Sequence, residues 1–503
     1  MLLALICVTG AALCRAEPAL PLVRFAGVLV QGSTRYSPED LLPLYRAELG
    51  APIDERFVRR LTSGLRERYL EDGYFAPEIT AASLVTESGV VVVTLVEPRV
   101  VRVDVTGAES RDVPALWALI AELKDSRPLA RNAFGAWLAR ANAIDGLSVT
   151  GTLATVRSGG ADRIASLAVS TTRWTGAARL DNRVPEAVGS VVLQGQAGYR
   201  FASDLAGTVQ TAAAVSENVD RLRFAALAGS HGLDRRGTTA AWNISRSESR
   251  LPNPTDGVDD YTRTRTSLSF DAPLESTVAT RIDGVASLQR YDVDDEETNG
   301  IALSKERIRT IGLGLTLARV SANGRRQDAD LSVTRGLDVL GARVGVDAPG
   351  AEPEFTRFNL GYRAAQPFGA AWRASVAFEA QASADRLPVA EQFHIGGSEL
   401  GGAFDPASIG GDQGFGSRVE VARRLASFRF AQNPELYTYA DQGVVHSRDG
   451  DTDHVASLGL GVRFSVERYA TSLEIATPID EPASDPYGAR GTRVFFALAR
   501  AFP

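Results

Sequence analysis

The sequence predicts two small α+β modules followed by a transmembrane β-barrel of about 16 antiparallel strands. Three observations carry that reading. Apolar residues keep a helical spacing through the first third, and near Trp174 that spacing gives way to alternation. Ahead of that point the order strand, helix, helix, strand, strand occurs twice. Beyond it, connections alternate between short and long, the pattern of a barrel with tight turns on one side of a membrane and long loops on the other.

Composition narrows the class. The 503 residues carry 54 Lys+Arg against 61 Asp+Glu, a net charge of -7, with 44% hydrophobic residues and 47 glycines. The mean hydropathy of -0.06 excludes a bundle of membrane helices. The acidic balance supplies no basic stripe for phosphates, so no nucleic-acid partner is expected. A membrane barrel averages to the same hydropathy as a soluble protein, because its lipid and lumen faces alternate.

The elements follow in order. Leu2 to Leu13 has the length and polarity of a signal-peptide core, and cleavage is expected after Ala16, although a positive segment ahead of it is missing. Both cysteines, Cys7 and Cys14, fall inside residues 1–16, so the mature chain would have no thiol. Leu13 before Cys14 disfavours a lipoprotein site, and Glu17-Pro18 disfavours a continuing helix. Residues 22–98 form the first module. Val23–Val30 reads as a strand; Ser37-Pro38-Glu39-Asp40 starts a helix that runs to Gly50; Phe57, Leu61, Leu65 and Tyr69 form one apolar helical face; Phe75–Ala82 and Val90–Val96 read as strands. Residues 99–173 repeat the order, with strands at Val100–Val105, Leu147–Val156 and Ile164–Thr172, helices at Pro114–Leu123 and Ala130–Ala143, and a turn at Asp145-Gly146.

Residues 174–503 form the barrel. Trp372, Ala374, Val376, Phe378 and Ala380 alternate with Arg373, Ser375, Glu379 and Gln381, and equivalent runs occur at 281–289 and 468–475. The apolar set is expected to face lipid, placing Arg281, Asp283, Arg373, Glu379, Arg468 and Glu474 in a wet lumen. Short turns are expected near Ser203-Asp204, Gly232–Arg236, Ala322–Gly324 and Pro367-Phe368. Long loops are expected at Ser249–Asp260, Asp292–Ser304, Asp338–Pro353 and Arg386–Asp412. The acidic run beginning at Asp292 reads as a solvated turn. The last of these loops, the sixth on its side, is dense in glycine.

Two sets of residues resemble known families. Val28-x-x-Gln31-Gly32, a Leu-rich helix, Leu65-x-x-x-Tyr69-x-x-x-Gly73-Tyr74 and Glu97-Pro98 resemble a POTRA (polypeptide-transport-associated) domain, more loosely repeated in the second module. The resemblance implies periplasmic α+β POTRA domains whose strand edge and groove receive extended client chains, with Gly32, Tyr69, Gly73 and Tyr74 in the client-binding module. In the sixth loop, Phe393, Ile395, Gly396, Gly397, Gly401, Gly402, Ala403 and Phe404 resemble the loop pattern of the two-partner-secretion transporters (the TpsB family). Gly411-Asp412-Gln413-Gly414, the strand Arg418-Val419-Glu420-Val421 and the strand motif Tyr439-Ala440-Asp441-Gln442-Gly443 resemble that family's barrel-wall motifs. One departure stands out: the family's V-R-G-F/Y loop tip is here Gly401-Gly402-Ala403-Phe404. The resemblance implies an arginine that pairs with Asp441, and Gly402 occupies its place. Asp441 must then hydrate, protonate or find another cation, for which Arg418 and Arg463 are the candidates. Few residues precede Val23 after cleavage, so a pore-plugging helix is not expected.

The resemblance implies an outer-membrane translocation pore that captures an unfolded exoprotein, of β-helical adhesin or haemolysin-like kind, and exports it without ATP. Its expected partners are that client and outer-membrane lipid, and the chain is expected as a monomer. An insertase for other barrels and a passive porin are the alternatives. No catalytic residue, cofactor or metal site is expected; the four histidines show no ligand spacing.

Overall fold

In the computed structural model the described residues run from 23 to 502, apart from 86, 108–113, 143, 145–146, 202–206, 235, 253–257, 278, 298–301, 322, 347, 429–430, 449 and 482–490. The expected signal segment with both cysteines, the turns at Asp145-Gly146 and Ser203-Asp204, and Pro503 lie outside the described residues.

The first module is built around a strand that is almost entirely β-branched. Strand β3 (Val90–Val96) lies between β1 (Gly27–Gln31), to which it is parallel, and β2 (Glu78–Val85), to which it is antiparallel. Its Val91, Val93 and Leu95 are buried in one cluster with Phe57, Leu61, Leu65 and Tyr69 of helix α2 (Glu55–Glu71), the predicted apolar face. Helix α1 (Pro38–Leu41) has the expected Ser37 cap, whose hydroxyl accepts from the Asp40 amide while the Asp40 carboxylate accepts from the Ser37 amide. It does not reach Gly50 as expected. Pro43 has no N–H and its ring collides with the preceding turn, so the chain continues as tighter 3-10 turns at Leu42–Leu44 and Arg46–Glu48.

Glu97 ties the module together from inside. Its buried carboxylate accepts from the Thr34 amide (2.9 Å), the Thr34 hydroxyl (2.5 Å), the Arg35 amide (3.3 Å) and the Tyr69 hydroxyl (2.7 Å). Burial, with Glu97 as acceptor, pushes the Tyr69 hydroxyl well above the usual tyrosine range, so it remains a donor. Glu97→Ala would strand these donors at a cost of about 3 kcal/mol. Hydrogen exchange on the full chain should then show roughly 100-fold faster exchange of the Thr34 and Arg35 amides. Unchanged protection would contradict the role.

The second module repeats the order with β4 (Arg99–Thr106), α3 (Pro114–Asp125), α4 (Ala133–Asn142), β5 (Leu147–Thr155) and β6 (Asp162–Thr171), its sheet running β4-β6-β5. The Trp137 indole donates to the Leu119 carbonyl at 2.8 Å, joining the two helices. The chain separates into two compact units, one of residues up to 103 with 124–131 and 153–165, the other of 104–123, 132–152 and 166–503.

From Trp174 the alternating sequence closes into a barrel of sixteen antiparallel strands. They are β7 (Trp174–Asp181), β8 (Val192–Phe201), β9 (Gly207–Ser216), β10 (Leu222–Gly232), β11 (Thr239–Pro252), β12 (Val258–Ser276), β13 (Thr280–Glu297), β14 (Ala302–Val320), β15 (Arg326–Gly336), β16 (Thr356–Phe368), β17 (Trp372–Ser383), β20 (Gln413–Arg424), β21 (Gln432–His446), β22 (Thr452–Val466), β23 (Tyr469–Asp480) and β24 (Arg493–Phe502). A two-stranded ribbon, β18 (Phe393–Ile395) with β19 (Ile409–Gly411), belongs to the sixth loop. Closure satisfies the backbone of every strand without water, which lipid requires. Outward residues such as Leu313, Leu331 and Phe358 are more than half exposed as isolated chain surface, the band that lipid covers.

Three expectations are corrected. Pro367 and Phe368 belong to β16, and the turn follows them. Arg468 lies in the turn before β23 instead of on an inward face. The loops expected at Ser249–Asp260 and Asp292–Ser304 are mostly strand, because β11 to β14 extend well past the ~10 residues needed to cross a bilayer. The acidic run is held there by arginines: Arg309 meets Asp292 and Arg307 meets Asp294, each at 2.7 Å.

The barrel seam joins β24 to β7 over Ala497↔Asp181 to Phe502↔Gly176. One residue further, the Asn182 side chain extends the seam: its amide donates to the Val494 carbonyl (2.9 Å) and its oxygen accepts the Phe496 amide (2.7 Å).

Candidate functional site: the seat of the sixth loop

The glycine-rich loop folds into the lumen against β20 to β24, and its tip is largely buried: Ala403 and Phe404 sit in a cluster with Ile395, Tyr437, Tyr439 and Phe495. The motif residues interlock by shape. A side chain at Gly414 would strike the Phe393 ring (2.2 Å), one at Gly443 the Ile395 side chain (2.3 Å), and one at Gly416 that of Leu400 (2.6 Å). The wall glycines are therefore sockets for the loop's apolar residues. Gly396, at φ +131, turns so close to the Asp405 carbonyl that no Cβ fits.

The root of the loop is pinned by Asp412, which is 1% exposed. Its carboxylate accepts the Leu387 amide (2.7 Å) and the Arg448 amide (2.8 Å), so one residue ties the loop's start to the seventh loop. Asp412→Ala should cost about 2–3 kcal/mol at the root. The check is trypsin added outside intact cells, which should cut after Arg386 or Arg448 only in the variant.

At the tip the electrostatics differ from the family pattern. Asp441 accepts the Gly402 amide (3.0 Å) and the Ser457 hydroxyl (2.5 Å), with the Arg418 guanidinium 3.7 Å away. Arg418 lies flat over Tyr439, 3.4 Å from the ring centre, and donates to the Ser398 carbonyl of the loop at 2.9 Å. Arg463 is engaged elsewhere, with Glu420 and Glu435 at 2.5 Å. Of the two candidate cations Arg418 is therefore the one beside Asp441, and the loop's own backbone supplies the rest.

An arginine at position 402 has no room, because a Cβ there would lie 2.1 Å from the Tyr439 hydroxyl. In its stead, arms reach inward from the barrel. Arg183, which follows β7, donates to the Gly402 carbonyl (2.8 Å) and pairs with Glu474 of β23 (2.6 Å). Glu474 also accepts the hydroxyls of Tyr437 (2.7 Å) and Tyr439 (2.6 Å). Arg493 of β24 pairs with Asp405 at 2.7 Å. Arg183 and Glu474 are nearly buried, with side-chain exposures of 12% and 10%, where a charge pair is only weakly screened. A cavity of about 380 Å³ lies by the tip, lined in part by Arg363, Glu399, Arg418, Glu420 and Glu474.

The structure brings together the loop and wall residues predicted from the sequence: Phe393, Ile395, Gly401, Gly402, Ala403, Phe404, Asp412, Gly414, Arg418, Asp441 and Gly443. Glu420 stands lower on the same wall in the Arg463 network. Of the four POTRA residues, Tyr69 is fully buried, so any part it has in binding a client is through the core. Gly32, at φ +91, sits 2.1 Å in Cβ terms from the Leu95 carbonyl, and Gly73 ends α2 ahead of Tyr74. Sequence reasoning missed Arg183, Asp405, Ser457 and Arg493, which lie far apart in the chain. Tyr437 was missed as well, although its spacing from Tyr439 and Asp441 of the strand motif places it on the same face of β21.

A closed sixteen-stranded barrel behind an N-terminal α+β module, with one glycine-rich loop folded inside, defines an outer-membrane transport barrel. The sequence model of the haemolysin secretion/activation proteins ShlB/FhaC/HecB matches residues 288–464, and that of the ShlB-type POTRA domain matches residues 23–98. The chain belongs to this family of POTRA-bearing secretion transporters, and it resides in the cell outer membrane with its POTRA domain in the periplasm. No curated protein matches it by sequence. Among solved structures the fold is shared with CdiB from Escherichia coli (TM-score 0.77, 18% identity, covering 98% of this chain and 93% of that one). It is shared also with CdiB from Acinetobacter baumannii (TM-score 0.69, 13% identity, 97% and 91% covered). BamA from Haemophilus ducreyi lacking POTRA domains 1-3 follows at TM-score 0.52 and 11% identity, with 95% and 100% covered.

Proposed function

We propose that the chain exports an unfolded polypeptide: its POTRA modules capture the client in the periplasm, and the client crosses the lumen when the sixth loop leaves its seat. The observation that carries this reading is the seat itself. The tip is held by polar contacts from the barrel wall at Arg183, Arg418, Asp441 and Arg493, each reversible, in place of a covalent or wholly apolar plug. Capture is assigned to the edge strand β2, whose outer side has no strand partner among the described residues of the module's sheet and can accept an extended segment by main-chain pairing. No nucleotide site is needed, because folding of the client outside makes the passage directional.

The test compares proteins released into the medium by cells carrying the natural chain, a chain lacking residues 22–97, and Gly401→Pro. A secreted polypeptide should vanish from the medium in both variants while the barrel still inserts. Undiminished release by both would overturn the reading. General loss of other outer-membrane barrels would favour an insertase instead.

A further inference from the structure

We infer that the exported chain travels along one wall of the lumen, the inward face of β8 to β11 edged by Ser267 and Ser269 of β12, and that this wall suits an extended polypeptide of low charge density. The inference deepens the export reading above and rests on it. Strand register sets Gly198, Gln210, Ala228, Asn243 and Ser267 side by side in one row across five strands. These residues lie on the face opposite Leu193, Leu227, Ile244 and Leu268, which belong to the lipid band. A second row, Thr208, Ser230, Ala241 and Ser269, lies beside it. Along β8 to β11 the inward positions carry a single charged residue, Arg200, near the periplasmic end of β8. Two shallow hollows of about 240 and 330 Å³ lie along these rows.

The opposite wall differs in both respects. On β17 and β20 to β24 the inward face bears Arg373, Arg418, Glu420, Glu435, Arg463, Glu474 and Arg493, and these are engaged with one another or with the sixth loop. The loop therefore sits on the charged wall and leaves the neutral one open. An extended chain offers an N–H and a C=O at every residue, and Gln, Asn, Ser and Thr side chains can exchange hydrogen bonds with either. Each such bond is weak in net terms, which lets the chain step forward without being trapped. Away from Arg200, a charged client side chain would meet no counter-ion along these rows on β8 to β11 and would lose hydration without compensation. The occupant that fits is a segment rich in Gly, Ser, Thr and Asn.

The experiment uses the full-length chain in phospholipid vesicles and a fluorescent, end-capped peptide of Gly, Ser, Asn and Thr, about 20 residues long so that it can span the barrel. A photoreactive phenylalanine derivative replaces Gln210 or Asn243 on the neutral wall, and Ser375 or Ser472 on the other. Each variant is first checked for the heat-modifiable mobility of a closed barrel, and adducts are then counted. Adducts at 210 and 243 should exceed those at 375 and 472 by about fivefold, the ratio one net hydrogen bond supports. A peptide carrying an aspartate at every third position should give fewer adducts at 210 and 243. Equal labelling of both walls, or a preference for 375 and 472, would overturn the wall assignment and leave the export reading standing. No adduct at any of the four positions would overturn both.

Discussion

Gly402→Arg, which restores the residue type of the family pattern, is expected to unseat the sixth loop. The site offers no space for it: the added Cβ would fall 2.1 Å from the Tyr439 hydroxyl and 2.7 Å from its ring carbon. Tyr439 cannot swing aside cheaply, since Arg418 stacks on it, Glu474 accepts its hydroxyl and Gly459 lies directly beneath it. Overpacking of this kind costs about 1–3 kcal/mol, and displacing the tip also removes the Gly402 amide from Asp441. In planar bilayers the variant should open at least ~10-fold more often than the natural chain. Adding Tyr439→Ala to Gly402→Arg should restore quiet channels, because the arginine then has a path to Asp441. If Gly402→Arg alone quietens the pore, the steric account fails.

Arg183→Ala is expected to have the second large effect, by removing the arm that joins the loop to the barrel. Two contacts go at once, the 2.6 Å pair with Glu474 and the 2.8 Å bond to the Gly402 carbonyl. Glu474 keeps its two tyrosine donors but loses its counter-ion in a nearly buried setting, at a cost of about 3 kcal/mol. That corresponds to a shift of roughly 100-fold toward the open pore. Arg183→Lys should recover part of it, since an ammonium can pair with Glu474 but lacks the fork that reaches Gly402 as well. Barrel thermal stability should change little, because the seam beside Arg183 is held separately by Asn182.

The architecture was legible because alternation and helical spacing are local signals. Trp372 to Gln381 announces its two faces within ten residues, and the apolar face of α2 is complete within its own span. The loop motif was legible for a related reason: sockets such as Gly414 and Gly443 demand glycine whatever the surrounding sequence. What replaces the loop arginine was not legible. Arg183 and Glu474 lie 291 positions apart and meet only because the barrel closes β24 onto β7. The acidic run after Asp292 misled because its cations, Arg307 and Arg309, arrive from the neighbouring strand and turn an expected solvated loop into paired strand. Pro43 was in plain view, and its effect on α1 follows from its missing N–H alone.

The central claim is that the loop is held from the barrel through Arg183 and Glu474 acting as one unit. A double-mutant cycle on pore opening tests it directly, with Arg183→Ala, Glu474→Gln and the two combined, each measured as open probability in planar bilayers. The account predicts that each single change raises opening and that the double variant opens little more than either, a coupling of about 2 kcal/mol or more. Additive effects, or single variants as quiet as the natural chain, would contradict it.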